Sequence, residues 1–337
     1  MLRPDCKITF TQQNGRSETI VFDGVNDMPI QSSFKNMTDT SEIILAQKYT
    51  WKGQDVFSTA NPILKVGDKV KIEIGYNNVL ETALTGYITA LNTEEKTVIK
   101  CEDELWILKR KLVKNKEYTS VSLKTLLAYV IGDTLPYVIT LEYENLGSFS
   151  IRNSPTAAQI LEYLRKEFHL EVFLREGTLY VGRKYLYDFD ETKVKSKEHT
   201  FEFQENIIDS NLEWQTKDTN RYFVKAIGIR REGKKNKRRE VIVGDTTGAQ
   251  RTMHYYGDYS EAQLKTMAEN ELNEIVYDGY RGKFKTFGEP FVRHGDRVTL
   301  INKRQPERGG TYFVKSVDYD FGWNGYFHNI EVGRRLL

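Results

Sequence analysis

In the first third of the chain, apolar and polar positions alternate with a period of two. Between Leu64 and Tyr76, Val70, Ile72 and Ile74 fall on one side and Lys69, Lys71 and Glu73 on the other, the mark of a half-buried strand. Lys7 to Phe10 and Glu18 to Phe22 read as two further strands. The Asn14-Gly15 pair between them tolerates the positive φ angles of a tight hairpin turn. Ser41 to Tyr49, Leu84 to Ile88 and Thr97 to Cys101 continue the series. Short strands at this pitch predict a small barrel or sandwich.

The middle of the chain changes to a helical period. Ser120 or Ser122 caps a predicted helix carrying Leu123, Leu126, Leu127 and Val130, which Gly132 ends. Ser154-Pro155 predicts a second start, with Ser as cap and Pro in the first helical position. Ala157, Ile160, Leu161, Leu164 and Phe168 then form one apolar stripe. His169 follows it, where a cation would favour the helix dipole. Leu170 to Leu174 and Thr178 to Val181 read as a hairpin joined through Arg175-Glu176-Gly177.

The last third returns to strands at Tyr222 to Ile227, Glu240 to Val243, Val292 to Leu300, Gly310 to Val314 and Tyr326 to Val332. One helix interrupts them. Ser260 and Gln263 have the spacing of a capping box, and Leu264, Met267, Ala268 and Leu272 give its inner face. This segment echoes the first: Gly67-Asp68-Lys69-Val70 matches Gly295-Asp296-Arg297-Val298, and each opens an alternating strand. Gly86-Tyr87-Ile88 and Gly310-Thr311-Tyr312 follow in turn. Gly supplies the backbone angle of such a turn and Asp hydrogen-bonds it, so a divergent internal duplication is expected. The predicted fold class is mainly β with an α/β insert (α+β). It consists of an N-terminal β-barrel domain over residues 1–112, a central α/β domain over 113–200 and a C-terminal β-barrel domain with one interrupting helix over 201–337. The charged stretch from Asp188 to His199 is the exit linker of the central domain.

Composition narrows the function. The 20 Tyr, 17 Phe and 4 Trp among 337 residues exclude global disorder, and the Tyr excess suits half-buried pleated surfaces. With 49 basic and 47 acidic side chains the net charge is only +2, which argues against a chain that coats nucleic acid. Cys6 and Cys101 make neither a disulfide framework nor a zinc site. The N-terminus lacks a secretory signal, and no apolar run approaches the ~18 residues of a membrane span. The chain reads as made in a reducing cytosol.

No catalytic, cofactor or metal constellation emerges. His169, His199, His254, His294 and His328 are scattered without helical metal spacing. His294 beside Asp296 is the nearest approach to an acid–base pair, and its position around a Gly turn reads more simply as turn hydrogen bonding. Asp318, Asp320 and Glu331 could be imagined as paired carboxylates, yet Asp318 and Asp320 share one face opposite Tyr319 and Phe321, as on a solvated strand. P-loop, dinucleotide and nucleophile-elbow motifs are absent. The sharpest feature is a basic run of Arg230, Arg231, Lys234, Lys235, Lys237, Arg238 and Arg239, read as a hairpin loop bending at Gly233. Clustered cations make it a candidate contact for phosphates or an acidic protein surface. The lack of interleaved aromatics favours a plain solvated loop and makes nucleic acid an unlikely specific ligand.

The order of parts resembles the baseplate hub proteins of contractile phage tails, the late control protein D group, and the N-terminal hub portion of the type VI secretion protein VgrG. The likeness is carried by Val66-Gly67-Asp68-Lys69-Val70 with Leu84 to Ile88, and by the helix through Ile160-Leu161 and Leu164 into the Leu170 to Val181 hairpin. His294 to Val298, Gly310 to Val314 and Tyr326 to Ile330 complete it. The resemblance implies a non-enzymatic structural adaptor, a homotrimer with two barrels per subunit. Its pseudo-sixfold ring would join a tail-tube protein to a separate threefold spike protein in a phage virion or injection particle. The rival expectations are a β-rich tail-associated hydrolase acting on cell-wall polymer and a nucleic-acid-binding module using residues 230–239.

Overall fold

A computed structural model describes residues 2–34, 36–45, 50–56, 62–139, 146–182, 196–219, 221–232 and 235–336. The protein is mainly β, with four α-helices among the described residues. The alternating first third forms strands as its pattern requires. These are β1 (Pro4–Thr11), β2 (Thr19–Phe22), β3 (Asp27–Ser33), β4 (Thr40–Leu45), a short pair β5 (Thr50–Trp51) and β6 (Gln54–Asp55), β7 (Lys69–Tyr76), β8 (Val79–Asn92) and β9 (Thr97–Asp103). Asn14 and Gly15 sit at φ of 61° and 83° between β1 and β2, the turn their residue types anticipate. β7 buries Val70, Ile72 and Ile74 and exposes Lys69 and Lys71. The end of the strand expected from Ser41 to Tyr49, residues 46–49, lies outside the described residues.

The central segment runs α1 (Trp106–Arg110), β10 (Lys116–Tyr118), α2 (Leu123–Val130), β11 (Tyr137–Ile139), β12 (Phe149–Ile151), α3 (Ala157–Phe168), β13 (Glu171–Arg175) and β14 (Thr178–Gly182). Ser122 caps α2 by accepting from the Thr125 N–H. The start of α3 differs from the Ser154-Pro155 expectation. Thr156 is the cap, because its hydroxyl accepts from the Gln159 N–H at 3.2 Å while the Gln159 side chain accepts from the Thr156 N–H at 2.8 Å. Ser154 instead takes a left-handed φ of 45° outside the helix. Most of the expected exit linker, residues 183–195, lies outside the described residues.

The last third comprises β15 (Glu198–Glu202), β16 (Ile207–Ser210), β17 (Glu213–Gln215), β18 (Tyr222–Glu232), β19 (Lys235–Gly244), β20 (Ala249–Tyr256), α4 (Glu261–Ile275), β21 (Gly279–Phe287), β22 (Arg297–Ile301), β23 (Gly310–Gly322) and β24 (Gly325–Arg335). β3 pairs antiparallel with both β4 and β23, so the two strand-rich thirds share one 14-stranded sheet. Its main path runs β16-β21-β24-β23-β3-β4-β9-β8-β7-β1-β2, with β15, β17 and β22 attached beside it. One apolar core follows the sheet through both thirds, from Ile8, Phe10 and Ile72 to Tyr319, Tyr326 and Ile330.

A second core holds the central segment together. Leu126, Leu161, Leu164 and Val172 pack there with Val224, Ala226, Met253, Leu264 and Met267. The three-stranded sheet β19-β18-β20 and α4 therefore share their core with the central segment rather than with the large sheet. The reason is visible along β18, where Val224, Ala226 and Gly228 form one face and Gly228 lies close under Leu264 of α4. Among the described residues, no helix is long and apolar enough to cross a membrane.

Candidate functional site

The two Gly-Asp turns paired by sequence correspond hydrogen bond for hydrogen bond. Gly67 donates to the Ile88 carbonyl at 2.8 Å, and Ile88 donates back to the Asp68 carbonyl at 2.9 Å. Gly295 donates to Val314 at 2.9 Å, and Val314 donates to Asp296 at 2.9 Å. Both glycines need a positive φ, 93° and 85°. Each carboxylate accepts from the N–H three residues back, Lys65 at 2.8 Å and Arg293 at 2.9 Å. Each also accepts from a neighbouring segment, Gln13 at 3.0 Å and Lys197 at 2.9 Å. Each finally binds an arginine, Arg16 at 2.5 Å and Arg175 at 2.8 Å. The glycine-aromatic echo does not correspond, because Ile88 takes the place of Val314 and so sets Gly86 against Tyr312.

The second turn takes its arginine from another unit. Arg175 ends β13 in the central segment and is buried against Asp296 and the His294 carbonyl, both at 2.8 Å. Burial alone would raise Asp296. The His199 hydrogen bond, the Arg175 charge and the Lys197 N–H outweigh it and hold the carboxyl down at about 2. His294 is buried beside the Arg175 guanidinium, and burial first and that charge second push its pKa down to about 3, so the ring is neutral.

Ser32 on β3 brings His294 and Asp39 together. Its hydroxyl donates to Asp39 Oδ2 at 2.7 Å and lies 2.5 Å from His294 Nδ1. With Asp39 ionised, the hydroxyl proton goes to its carboxylate, and Nδ1 of the imidazole is then the donor to Ser32. The order is histidine, serine, aspartate, whereas a nucleophilic triad requires the histidine between the other two. Ser32 and His294 are also buried. The cluster is built to join elements. Asp39 donates its N–H to Asp103 Oδ2 at 2.8 Å, and Asp103 returns a backbone bond at 3.0 Å. Burial pushes Asp39 up to about 7 and, with the Asp39 charge beside it, raises Asp103 as well.

The other sequence candidates separate. Burial lowers the pKa of His169, which works against the cation expected at this helix end, and Nε2 donates to the His254 carbonyl at 2.9 Å. His328 is buried against the Tyr326 hydroxyl at 2.8 Å, and burial lowers it to about 3. Asp318 binds Lys283 at 2.8 Å, Asp320 accepts from Asn329 at 2.7 Å and Glu331 accepts from Ser316 at 3.2 Å, so the three carboxylates do not converge on one site. Burial pushes the Cys6 thiol up to about 11 and raises Cys101 further, which keeps both unreactive. Among the described residues no cluster of His, Cys, Asp and Glu could hold a metal ion.

The basic run is strand rather than loop. β18 and β19 pair continuously to Glu232↔Lys235, which places Arg230 opposite Lys237 and Arg239 opposite Gly228. Regular pairing carries the two strands well past the predicted ends at Ile227 and Glu240. Gly233 and Lys234, at the expected bend, lie outside the described residues. Arg231 and Lys235 fall within the paired strands. Arg230 and Arg239 converge on Asp258, at 2.5 and 3.8 Å, and Arg239 also donates to the Tyr259 carbonyl at 2.7 Å. Lys237 and Arg238 are exposed. Register also aligns Tyr256 of β20 with Ile229, the cross-strand neighbour of Arg238, an aromatic placement hidden from the linear run.

A further surface was not legible from the sequence. Trp323, 84% exposed, tips the β23–β24 hairpin. Beside it a groove of about 520 Å³ is lined by Tyr76, Phe287, Phe321, Tyr326 and Phe327. Its one cue was an aromatic within Gly322-Trp323-Asn324-Gly325, where a turn needs none.

No family model and no curated sequence matches the chain. Solved structures match along its whole length and place it in the fold of phage tail proteins and VgrG. The tail protein from Neisseria meningitidis MC58 aligns over 98% of this chain and 96% of its own, with 13% identity and a TM-score of 0.65. The 43 kDa tail protein of prophage MuSo2 from Shewanella oneidensis aligns over 98% of both chains, with 13% identity and a TM-score of 0.66. In the half-lidded Francisella PdpA-VgrG complex, 99% of this chain aligns with 58% of the matched chain, at 12% identity and a TM-score of 0.60.

Proposed function

We propose that the protein is a structural hub of a contractile tail or injection-system baseplate, and that it performs no catalysis. Three copies close a ring that joins a sixfold tail tube to a threefold spike. The observation that carries this reading is the extent of the likeness. The whole chain aligns with whole tail proteins and with a VgrG segment, so the shared architecture is the entire chain and not one common module.

The duplicated Gly-Asp turn supports the symmetry argument. Each turn leads into one strand of its own β unit, β7 in the first and β22 in the second, and two similar units per copy would make a threefold ring present a pseudo-sixfold face. Each unit serves as a barrel of that ring, while the central segment and its three-stranded sheet stand outside it. The shared core and the buried Arg175–Asp296 pair fix the units relative to one another, as a load-transmitting adaptor needs. The basic hairpin carrying Arg230, Arg231, Lys234, Lys235, Lys237, Arg238 and Arg239 is the proposed partner contact. Native mass spectrometry of the chain mixed with the tube and spike proteins of its particle tests this. A trimer that binds either protein is expected. A chain that ignores both and cleaves peptidoglycan would replace the hub reading with the hydrolase.

A further inference from the structure

The three-stranded sheet has two outer edges that are treated differently. On the β20 edge, His169 donates to the His254 carbonyl at 2.9 Å, and Phe168 packs against Tyr256 with ring centroids 6.4 Å apart. On the other edge, β19 is ten residues long and, among the described residues, pairs with β18 alone. Its Lys237, Arg238, Arg239 and Glu240 are all exposed, and Ile242 is 52% exposed. A long open edge presents a row of unpaired N–H and C=O groups and invites another strand.

We propose that the free edge of β19 is a strand-pairing site for an extended acidic segment of a partner protein. Backbone pairing along an open edge is a recurrent way of binding peptides, with main-chain bonds giving affinity and side chains giving selectivity. Charge selects the occupant here. Lys237 and Arg239 face the α4 side and Arg238 the opposite side, so a strand added at this edge meets cations on both of its faces. Like-charged strands are refused and carboxylate-bearing ones are held.

Asp258 shows that the site accepts a carboxylate, since it already bridges Arg230 and Arg239. It leaves Lys237 and Arg238 facing outward. Beyond Glu240, which binds Lys225 at 2.7 Å, the strand turns apolar at Val241, Ile242 and Val243. The matching segment is therefore acidic at one end and β-branched at the other. Nucleic acid fits less well, because a phosphate backbone offers no alternating N–H and C=O to an edge, and Tyr256 supplies one exposed ring instead of a stacking platform.

The probes are two fluorescein-labelled peptides, EEEETVTVTG and its reverse GTVTVTEEEE, which cover both strand directions. Binding to the full chain is read by fluorescence anisotropy at low salt, ~50 mM. One of the two binds. Binding weakens by about tenfold or more in Lys237→Glu/Arg238→Glu, and also when alternate peptide amides are N-methylated. Neutralisation in Lys237→Gln/Arg238→Gln gives a smaller loss, and the thermal midpoints of both variants confirm that they fold. Three results overturn the proposal: no binding by either peptide, equal binding by the N-methylated peptide, or tighter binding of an oligothymidylate of equal length. The first two remove only this edge as the partner contact and leave the threefold ring to native mass spectrometry, whereas tighter oligothymidylate binding would favour the nucleic-acid-binding alternative.

Discussion

Arg175, the last residue of a strand in the central segment, forms a buried 2.8 Å ion pair with Asp296 in the second Gly-Asp turn. The equivalent Asp68 is served by Arg16, from its own half of the sheet and with a side chain 25% exposed. The same turn geometry thus serves local folding at Asp68 and joins two units at Asp296.

Arg175→Ala strands a buried carboxylate and should lower stability by about 3–5 kcal/mol in chemical denaturation. Arg16→Ala should cost less, about 1.5–3 kcal/mol, because water reaches Arg16 and can replace part of its hydrogen bonding. Equal losses would show that the inter-unit pair has no special role.

The two turn glycines should separate in the same way. Gly67→Ala should cost about 1–2 kcal/mol for the left-handed backbone alone, since its Cβ meets Trp106 only at an ordinary 3.5 Å. Gly295→Ala should cost at least about 1 kcal/mol more, because the Cβ would lie 2.9 Å from Arg175 Nη1 and 3.2 Å from the Phe34 ring. Thermal melts of both variants measure the difference.

Much of this was legible in the sequence. The Gly-Asp repeat, the capping box at Ser260 and the period-two strands depend on neighbours in the chain, so local chemistry reveals them. The α3 start was missed because Thr156-Ala-Ala-Gln159 makes a reciprocal cap that competes with the more familiar Ser-Pro signal. Arg175 looked like a polar hairpin residue, and its burial depends on Asp296, 121 positions away. The packing of residues 222–276 with the central segment is likewise a long-range choice. It is made where the small face of β18 meets α4, and no periodicity encodes it. The basic run was legible as charge but not as strand, since cations weaken the alternation that marks one.

The buried carboxylates predict a defined pH response. Burial raises Asp39 to about 7, so the folded state retains a proton that the unfolded chain releases near pH 4. This contribution to stability is complete at low pH and declines as pH rises from about 4 to about 7. His294 and His328, both lowered to about 3, oppose it between about pH 3 and 6.5. Asp39→Asn removes this effect and also the charge that helps raise Asp103, and both changes act in the same direction. Its stability relative to the parent should therefore improve progressively as pH rises above about 4, as read by urea denaturation at each pH.

Trp323→Ala should leave the stability of the isolated chain nearly unchanged, within about 0.5 kcal/mol, because the ring is exposed. If the groove beside it is an assembly contact, the same change should weaken incorporation into the particle by more than about 1 kcal/mol. Quantifying the variant in purified particles against the parent chain measures this.

The hub reading is tested most directly by a density map of the assembled particle. The expected density is a closed ring of three copies between tube and spike, touching both, with the two β units of each copy arranged quasi-equivalently around the axis. A map placing this chain away from the tube–spike junction, or at it without a threefold ring, would contradict it.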